Sequence, residues 1–404
     1  MDEMTWYEDV ACLLTRSMTA PLIESLDLDH YTGVAKGHAV IADDLSPGQF
    51  TDLLAQHTIT ALLLRSGSLI DHTAGIANAR GIQLVLVPPD FTPAQFVLID
   101  GARERIATTV REPRMEEAML TGTSEVVAPG ADAVSFPVTV LVDGSDPDQL
   151  RTGLANGASG VGILRSEWFG WSDVTPPSTE QMLAHYQAAA NAVSPYRLNI
   201  RLYDIGGDKI PRWCEPYADQ LRSPLCRRGM HAYSILGAAI EAQFEAIARC
   251  ARDYSLGVVV PMVTDLSDIQ VAKQLLHKHC DRQAEPQIAL GIMIEVPSAA
   301  LLIDDLVHEI DFVRLGPGDL SQFTLGKLRS QIPPRDFSGH GFHPAVMKLF
   351  RSVTNACHTH GKQVTMCLAI EPRETLVEEL FECGVDAFTA SPNGVQSLLH
   401  RVPM

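Results

Sequence analysis

A histidine at position 72 is the first residue of the chain whose setting could support covalent chemistry. It lies between an aspartate and a threonine, in the stretch 66–82, where a Gly/Ser-containing turn gives way to an apolar, helix-like segment. An imidazole can act as a nucleophile near neutral pH. A polar residue in the first turn of a helix, beside an N-cap formed by Asp71 or Thr73, has the same pattern. The local sequence leaves both interpretations open.

A second group of chemically capable side chains stands at the ends of short apolar segments. Its members are Arg165, Arg201, Glu295, Asp319 and Cys367. Two carboxylates can hold a divalent cation through oxygen ligands, and two guanidinium groups can hold a phosphate or a carboxylate. A structural ion pair is the alternative for any one of them. Their recurrence at equivalent positions favours a common site, because a rim salt bridge has no reason to recur there.

The segments that carry these residues predict a parallel α/β barrel. From Ser135 onward, eight short runs rich in β-branched residues alternate with long amphipathic stretches. The runs are 138–143, 160–166, 198–204, 257–263, 289–295, 311–317, 363–369 and 387–392. Parallel strands that are buried on both faces have such continuous apolar sequences, and barrel enzymes place their working residues at the C-terminal strand ends. A TIM (β/α)8 barrel is therefore predicted, with a doubly wound open sheet as the alternative.

The N-terminal part of the chain has a different texture. Its apolar segments are 37–42, 59–67, 82–87 and 95–101, separated by glycine, proline or acidic residues, with one good helix pattern after His72. These features predict a compact α/β domain of mixed strands over 1–110. The stretch 111–134 is charged and then rich in Gly, Ser and Pro, which is typical of a linker. The barrel is expected over 135–404.

Composition limits the classes of protein and partner. The chain has 404 residues, a hydrophobic content of 46% and a formal net charge of -18. This charge disfavours nucleic acid and anionic membranes as partners, so an anionic ligand needs a local group of arginines. The eight cysteines include no CxxC pair, the acidic N-terminus is unlike a signal peptide, and no apolar run reaches the ~18 residues of a membrane span. A cytoplasmic protein with reduced thiols is expected.

Several stretches resemble the phosphoenolpyruvate (PEP)-utilising family, which includes enzyme I of the bacterial sugar phosphotransferase system, PEP synthase and pyruvate phosphate dikinase. In the barrel region they occur in family order, as 156–169, 200–211, 291–304, 316–329, 342–346, 361–367 and 384–392. A weaker and shorter resemblance, to the swivelling phosphohistidine domain of the same family, covers 40–49, 71–77 and 96–101.

The resemblance implies a role for each candidate residue. His72 would take the phosphoryl group of PEP, and Cys367 would protonate the methylene carbon of the remaining enolate, with a thiol pKa close enough to neutrality to serve. Glu295 and Asp319 would ligate Mg2+, which stabilises the phosphate and the enolpyruvate oxygen. The phosphate and carboxylate of the substrate would be held by Arg165, Arg201, Arg228 and Arg329.

Two assignments in this set have alternatives within the sequence. Lys209 is either a further anion contact or a solvated loop lysine. The assignment of Arg228 depends on a one-residue gap in the stretch 223–230, so Arg227 is its alternative.

Around the histidine, the chain departs from the family pattern. Ile70 and Asp71 stand where the family has Thr and Ser, and Asn78 stands where it has arginine. These changes remove groups that would bind an incoming phosphoryl group, and Asp71 adds a negative charge.

In the barrel, Pro317-Gly318 replaces the usual Thr-Asn, and Leu368 and Ala369 replace the Gly and Glu that follow the acid cysteine. Leu368 is expected to narrow the pocket or to reshape the path to the enolate.

The partners implied are PEP, an external phosphoryl acceptor and a second copy of the chain. We expect neither the insert with which enzyme I binds its acceptor protein nor the ATP-grasp domain of the synthase and dikinase. The acceptor is then a separate small molecule or carrier protein, and a homodimer would form through the barrel. Three functions remain open at this stage: a PEP-dependent phosphotransferase, a magnesium-enolate enzyme such as a lyase or aldolase, and a non-catalytic PEP-sensing protein.

Overall fold

The computed structural model describes most of the chain. The described residues are 5–7, 11–12, 17–24, 38–43, 45, 47–66, 72–88, 90–100, 105–110, 139–207, 209–223, 225, 227–280, 288–328, 342–368 and 374–401. They form two compact units, one from the elements before residue 111 and one from those after residue 138. The predicted linker, 111–134, lies outside the described residues.

Within its described residues, the N-terminal unit is a mixed sheet with two helices. Its strands are β1 (Thr5–Tyr7), β2 (Ala11–Cys12), β3 (Ser17–Glu24), β4 (His38–Ala42), β5 (Ile59–Leu64), β6 (Gln83–Leu86), β7 (Phe96–Asp100) and β8 (Arg105–Thr109). They lie in the order β1-β8-β7-β3-β4-β5-β6-β2, parallel from β3 to β6 and antiparallel elsewhere. The helices Pro47–Gln56 and His72–Ala79 follow β4 and β5. The predicted α/β domain of mixed strands is confirmed.

Burial of both sheet faces explains the continuous apolar runs of this unit. In β5, Leu62 packs into the core on one face together with Phe50 of the first helix. Its neighbour Leu63 packs into the core on the other face together with Ile99 of β7. Successive side chains of a strand point to opposite faces, so a strand covered on both sides needs an apolar residue at every position.

The C-terminal unit is a closed barrel of eight parallel strands. These are β9 (Thr139–Gly144), β10 (Val161–Arg165), β11 (Leu198–Arg201), β12 (Leu256–Val260), β13 (Ala289–Ile294), β14 (Phe312–Leu315), β15 (Gln363–Cys367) and β16 (Ala387–Ala390). Each pairs with the next, and β16 pairs with β9 to close the ring. The predicted TIM barrel is confirmed, and the open-sheet alternative is wrong.

Helices surround the barrel and carry the chain from one strand to the next. They are Pro147–Ala155, Thr179–Val193, Ala218–Leu221, Tyr233–Cys250, Leu266–His279, Pro297–Leu301, Ile303–Leu306, Pro317–Leu325, Pro344–Thr359, Glu374–Glu382 and Gly394–Arg401. Short 3-10 turns add Ser166–Trp168, Arg212–Tyr217, Gly229–Ala232 and Val307–Glu309. Within the described part of the chain, no helix combines the length and apolar character that a membrane crossing requires.

The barrel has a small apolar cluster of its own, separate from the main core. The main core joins the outward-facing strand residues to the helices. The second cluster is formed by Ile163, Val259, Met293 and Phe312, from four different strands, with Cys367 packed against it. In β12, for example, Val259 belongs to the small cluster while its neighbours belong to the main core. Alternation along the strands therefore sends this set to the barrel interior.

Candidate active site

Three buried carboxylates come together at the C-terminal ends of the strands. Glu295 directly follows β13, Asp319 lies in the first turn of the helix Pro317–Leu325, and Asp204 lies just beyond β11. One oxygen of each lies within 4.8 Å of the others. A Cβ atom on Gly316 would lie 2.4 Å from the Glu295 Cγ atom, so glycine leaves room for this side chain. The arrangement suits a hard divalent cation, because such ions prefer carboxylate oxygens.

Sequence reasoning named two of these carboxylates and missed Asp204. The signal was available, because the predicted strand 198–204 ends on this aspartate. Residues at the C-terminal ends of barrel strands are where a site is expected.

Arg228 and Lys209 neutralise part of the acidic cluster. The Arg228 Nε and Nη2 atoms donate to Asp204 at 2.9 and 2.8 Å, and Nη1 and Nη2 donate to Asp319 at 3.0 and 3.1 Å. Lys209 forms an ion pair with Asp204 and is 1% exposed, so its interpretation as a solvated loop lysine is wrong. Burial opposes ionisation of Asp204, but the charges of Arg228 and Lys209 outweigh it and hold the pKa of Asp204 well below its usual range.

The choice between the two neighbouring arginines is settled by burial. Arg228 is 4% exposed and reaches the cluster, whereas Arg227 is exposed and donates to Ser234 Oγ at 2.9 Å. Gly229, which follows Arg228, has a φ of 54° and lies so close to the Pro261 carbonyl that a Cβ would approach its oxygen to 2.5 Å. This backbone conformation favours glycine.

Arg201 is buried beside the cluster and pairs with Glu167. Within the described part of the chain, the Arg201 Nε and Glu167 Oε2 atoms are buried without a hydrogen-bond partner. Burial raises the pKa of Glu167, but the charge of Arg201 outweighs this effect and the net pKa is lowered. The sequence analysis did not single out Glu167, although it lies two residues after Arg165.

A buried hydrogen-bond network holds the end of β11 against β10. Ser166 Oγ donates to the Arg201 carbonyl at 2.6 Å, and Gln243 Nε2 donates to Ser166 Oγ at 2.8 Å. The Gln243 carbonyl oxygen accepts from the Tyr203 amide at 2.9 Å. Because every link is buried, the network stabilises the backbone from which Arg201 projects.

Arg165, the last residue of β10, is less tightly held. Its side chain is 24% exposed, and Nη2 lies 3.5 Å from Asp143 Oδ2. Asp143 also accepts from the Ile163 amide at 2.9 Å and from Thr389 Oγ1 at 2.8 Å. The Arg165 guanidinium is therefore free to turn toward a ligand without leaving Asp143 unpaired.

Cys367 ends β15 and packs against the apolar cluster of the barrel interior. Burial and the charge of Asp143 raise the pKa of the Cys367 thiol to about 12, against the opposing charges of Arg314, Arg165 and Arg201. The expectation of a thiol pKa near neutrality is wrong, because it did not take into account the burial of this group or the charge of Asp143 beside it. The thiol is protonated at neutral pH, as a proton donor must be.

Leu368 is buried in the main hydrophobic core, in contrast to the partly exposed Cys367 before it. Alternation along the strand sends these two side chains to opposite faces. The expectation that Leu368 narrows the pocket is therefore wrong.

Several predicted residues fall outside the described part of the chain. Arg329, Ile70, Asp71 and Ala369 belong to this group. His72 begins the helix His72–Ala79, which also contains Asn78, but neither of these two side chains is among those described. Their predicted roles stay predictions.

The raised pKa of Glu295 predicts that the stability of the protein depends on pH when no divalent cation is bound. Burial, Asp204 and Asp319 raise the pKa of Glu295 to about 7, above its usual 4.5. Between these values the folded chain keeps a proton that the unfolded chain has released, so raising the pH favours unfolding. We expect the free energy of unfolding to lose about 1 kcal/mol per pH unit from this group. Urea unfolding at several pH values between 5 and 7 measures the slope, which Glu295→Gln should reduce. An equal slope in the variant would contradict the assignment.

The fold and the site together define a (β/α)8 barrel that presents buried carboxylates and arginines at its C-terminal strand ends. Residues 123–402 match the family described as PEP-utilising enzyme, PEP-binding domain, and the chain belongs to that family. The resemblance seen in the sequence is thereby confirmed.

Named relatives cover most of this chain. It is 26% identical over 386 residues to the phosphoenolpyruvate-protein phosphotransferase of Streptococcus equinus. The aligned region covers 88% of this chain and 65% of the relative. It is 27% identical over 397 residues to the multiphosphoryl transfer protein 2 of Escherichia coli (strain K12), covering 90% of this chain and 46% of the relative. The chain thus spans less than two thirds of the length of both proteins.

A crystal structure of macrophomate synthase is also similar. It has 15% sequence identity and a TM-score of 0.40, and the match covers 65% of this chain and 82% of that one.

Proposed function

We propose that the protein is a phosphotransferase that moves the phosphoryl group of PEP to His72 and then to an external acceptor, releasing pyruvate. The observation that carries this proposal is the buried set of Asp204, Glu295 and Asp319 beside buried arginines, in a chain of the PEP-utilising family. A phosphate and a carboxylate on one small molecule need several cations, and a site with three carboxylates needs a further cation to accept that molecule.

The arginines would contribute to substrate binding in different ways. Arg201 offers a buried Nε–H without a partner among the described residues, and Arg165 can turn from Asp143 toward the substrate. Arg228 already lies between Asp204 and Asp319, so its guanidinium stands next to the oxygens that the substrate must approach. Arginine suits all three positions because it stays protonated and its planar fork matches both anions. Arg329 completes the predicted set.

Mg2+ fits the carboxylate set. Asp204, Glu295 and Asp319 would hold it, since their oxygens are close together, buried and in excess over the neighbouring Arg228 and Lys209 charges. When bound, the ion supplies positive charge that stabilises the phosphate oxygens and the oxygen that becomes the enolate. Burial, together with the charges of Asp204 and Asp319, raises the pKa of Glu295, and a bound cation would oppose this effect.

Phosphoryl transfer to His72 and protonation of the enolate are two successive steps. A neutral His72 ring nitrogen attacks phosphorus, the bond between phosphorus and the enol oxygen breaks, and its electron pair stays on that oxygen as an enolate. Cys367 then gives its S–H proton to the methylene carbon, which yields pyruvate and a thiolate. Solvent returns the proton to sulfur, and the phosphohistidine passes its phosphoryl group to the acceptor.

Cys367→Ala is expected to separate these two steps. His72 should still be phosphorylated, because the thiol acts only after the phosphoryl group has left. Pyruvate release should slow by about 10²-fold or more, the usual contribution of a positioned acid. Rapid-quench measurement of protein label and pyruvate in the same samples checks both. The buried Cys357, which lies in the helix Pro344–Thr359, offers Cys357→Ala as the matched control. A Cys367→Ala variant that labels as poorly as one lacking His72 would contradict the role.

The proposal extends to partners and location. The acceptor is a separate small molecule or carrier protein, two copies of the chain pair through the barrel, and the protein is cytoplasmic. These parts follow from the family resemblance.

Incubation with Mg2+ and PEP carrying radioactive phosphorus tests the proposed function. An acid-labile label on the protein together with free pyruvate supports it. Condensation of the pyruvate unit with a second carbonyl compound, without protein label, would identify a lyase or aldolase instead. Binding of PEP without turnover would identify a sensor.

A further inference from the structure

Arg314 is a buried cation to which the steps above give no role. It lies in β14 and is 3% exposed. Its Nη2 atom donates to the Gly162 carbonyl across the barrel at 3.0 Å, while its Nε and Nη1 atoms are buried without a hydrogen-bond partner in the part of the chain that the structure describes. Burial lowers the pKa of Arg314, but arginine titrates so far above neutrality that the group stays charged.

The other arginines around Cys367 are paired with carboxylates. Arg165 faces Asp143, and Arg201 pairs with Glu167. Arg314 has no such ion pair among the described residues. Leaving a cation buried with unused donors is unfavourable, so an anion that arises during the reaction is the natural partner.

The register of the barrel places Arg314 next to Cys367. Arg314 pairs with Thr365 of β15, and Cys367 lies two residues further along the same face of that strand. Arg314 and Cys367 also influence each other's pKa, so the guanidinium lies within electrostatic range of the sulfur. The Arg314 Cζ atom is also 5.4 Å from the centre of the Phe312 ring, which belongs to the apolar cluster against which Cys367 packs.

We propose that Arg314 is a positioning residue that acts through Cys367, as the fixed counter-cation of the thiolate formed when the thiol protonates the enolate. The S–H bond breaks and a C–H bond forms, the sulfur keeps the electron pair, and the negative charge moves from the enolate to sulfur. This inference rests on the proposed function. A fixed cation favours the transfer because it needs no reorganisation when the charge arrives.

The charged groups that face Cys367 come from several strands. Asp143 of β9 opposes the thiolate, whereas Arg165, Arg201 and Arg314 favour it. Arg165 and Arg201 form ion pairs with carboxylates. Arg314 also feels the charge of Asp143, but it forms no ion pair among the described residues, so its charge is the least committed of the three. Arg197 lies near Arg314, with its Cζ atom 5.0 Å from the centre of the Phe312 ring, but its Nε atom donates to Asn199 at 3.0 Å.

The test is the rate at which iodoacetamide alkylates Cys367 in the full chain, measured by peptide mass spectrometry as a function of pH without PEP. Arg314→Met should slow alkylation about tenfold or more at any pH below the thiol pKa, since each unit of pKa changes the thiolate fraction tenfold. Arg314→Lys should keep most of the rate, because it keeps the charge. Arg197→Met is the control, because it removes the other cation that lies over the Phe312 ring.

A profile unchanged within about twofold in Arg314→Met, or slowed equally in Arg197→Met, would overturn the inference. If Arg314→Met does not fold, Arg314→Gln compared with Arg314→Lys decides in the same way. Because the measurement uses no PEP, its result is independent of phosphoryl transfer. A shifted profile without labelling of His72 contradicts the proposed function alone, whereas labelling with an unshifted profile contradicts this inference alone.

Discussion

Asp319→Asn should lower PEP turnover by about 10³-fold or more while leaving the barrel folded. The substitution removes one charged oxygen ligand from the proposed cation site, and such charge stabilisation contributes several kcal/mol to the reaction. The fold should survive because Arg228 keeps its two bonds to Asp204, and because loss of one carboxylate relieves the repulsion that raises the pKa of Glu295. The rate of the first release of pyruvate from excess PEP, with a folding check by circular dichroism, measures the effect.

A matched control lies elsewhere in the same barrel. Asp386 accepts from the Val364 amide at 2.7 Å near the start of β15, so Asp386→Asn removes a structural carboxylate far along the strand from Cys367. We expect this variant to lose stability but to keep turnover. Unchanged turnover in Asp319→Asn would remove Asp319 from the cation site.

His72→Ala should eliminate the acid-labile phosphoryl label completely. The proposed transfer forms a bond between phosphorus and a ring nitrogen of this residue, and alanine offers no atom that can replace it. Labelling with radioactive PEP, followed by acid treatment and peptide mapping, measures the result. Full turnover in this variant would leave His72 as a polar residue at the start of its helix.

Asp71→Ser tests the same site by an expected increase in the rate of labelling. A carboxylate within about 6 Å of the accepting nitrogen repels the phosphate and favours the protonated, non-nucleophilic ring by roughly 1 kcal/mol. Serine, the usual family residue, should therefore raise the labelling rate about fivefold. A fall in the rate would show instead that Asp71 orients the ring by accepting its second N–H.

The strands of the barrel could be predicted because a strand that is buried on both faces has a continuous apolar sequence. The predicted runs 138–143 and 289–295 differ by only one residue at either end from β9 and β13. In the N-terminal unit, β3 (Ser17–Glu24) was missed. Its sequence SMTAPLIE contains a proline and polar residues, which argue against a central strand, although β3 pairs with β7 on one side and with β4 on the other.

The site could be predicted only in part. The local sequence shows which residues end a strand, but it does not show which residues from distant parts of the chain contact them. The sequence shows that Glu295 and Cys367 end strands, but it does not reveal the burial that sets their pKa values. Arg314 looks like an ordinary strand residue until the closed barrel brings the Gly162 carbonyl, 152 positions away, within 3.0 Å of it. Glu167 was passed over for the same reason, since its partner Arg201 comes from the next strand.

In the proposed mechanism, PEP loses its phosphoryl group to the protein before any acceptor is present. The most direct measurement is pyruvate formed when the chain is mixed with Mg2+ and excess PEP in the absence of acceptors. We predict a burst of about one pyruvate per chain that then stops, since a phosphorylated His72 cannot react again until it is discharged. Pyruvate that forms steadily without a burst, or no pyruvate at all, would contradict the account.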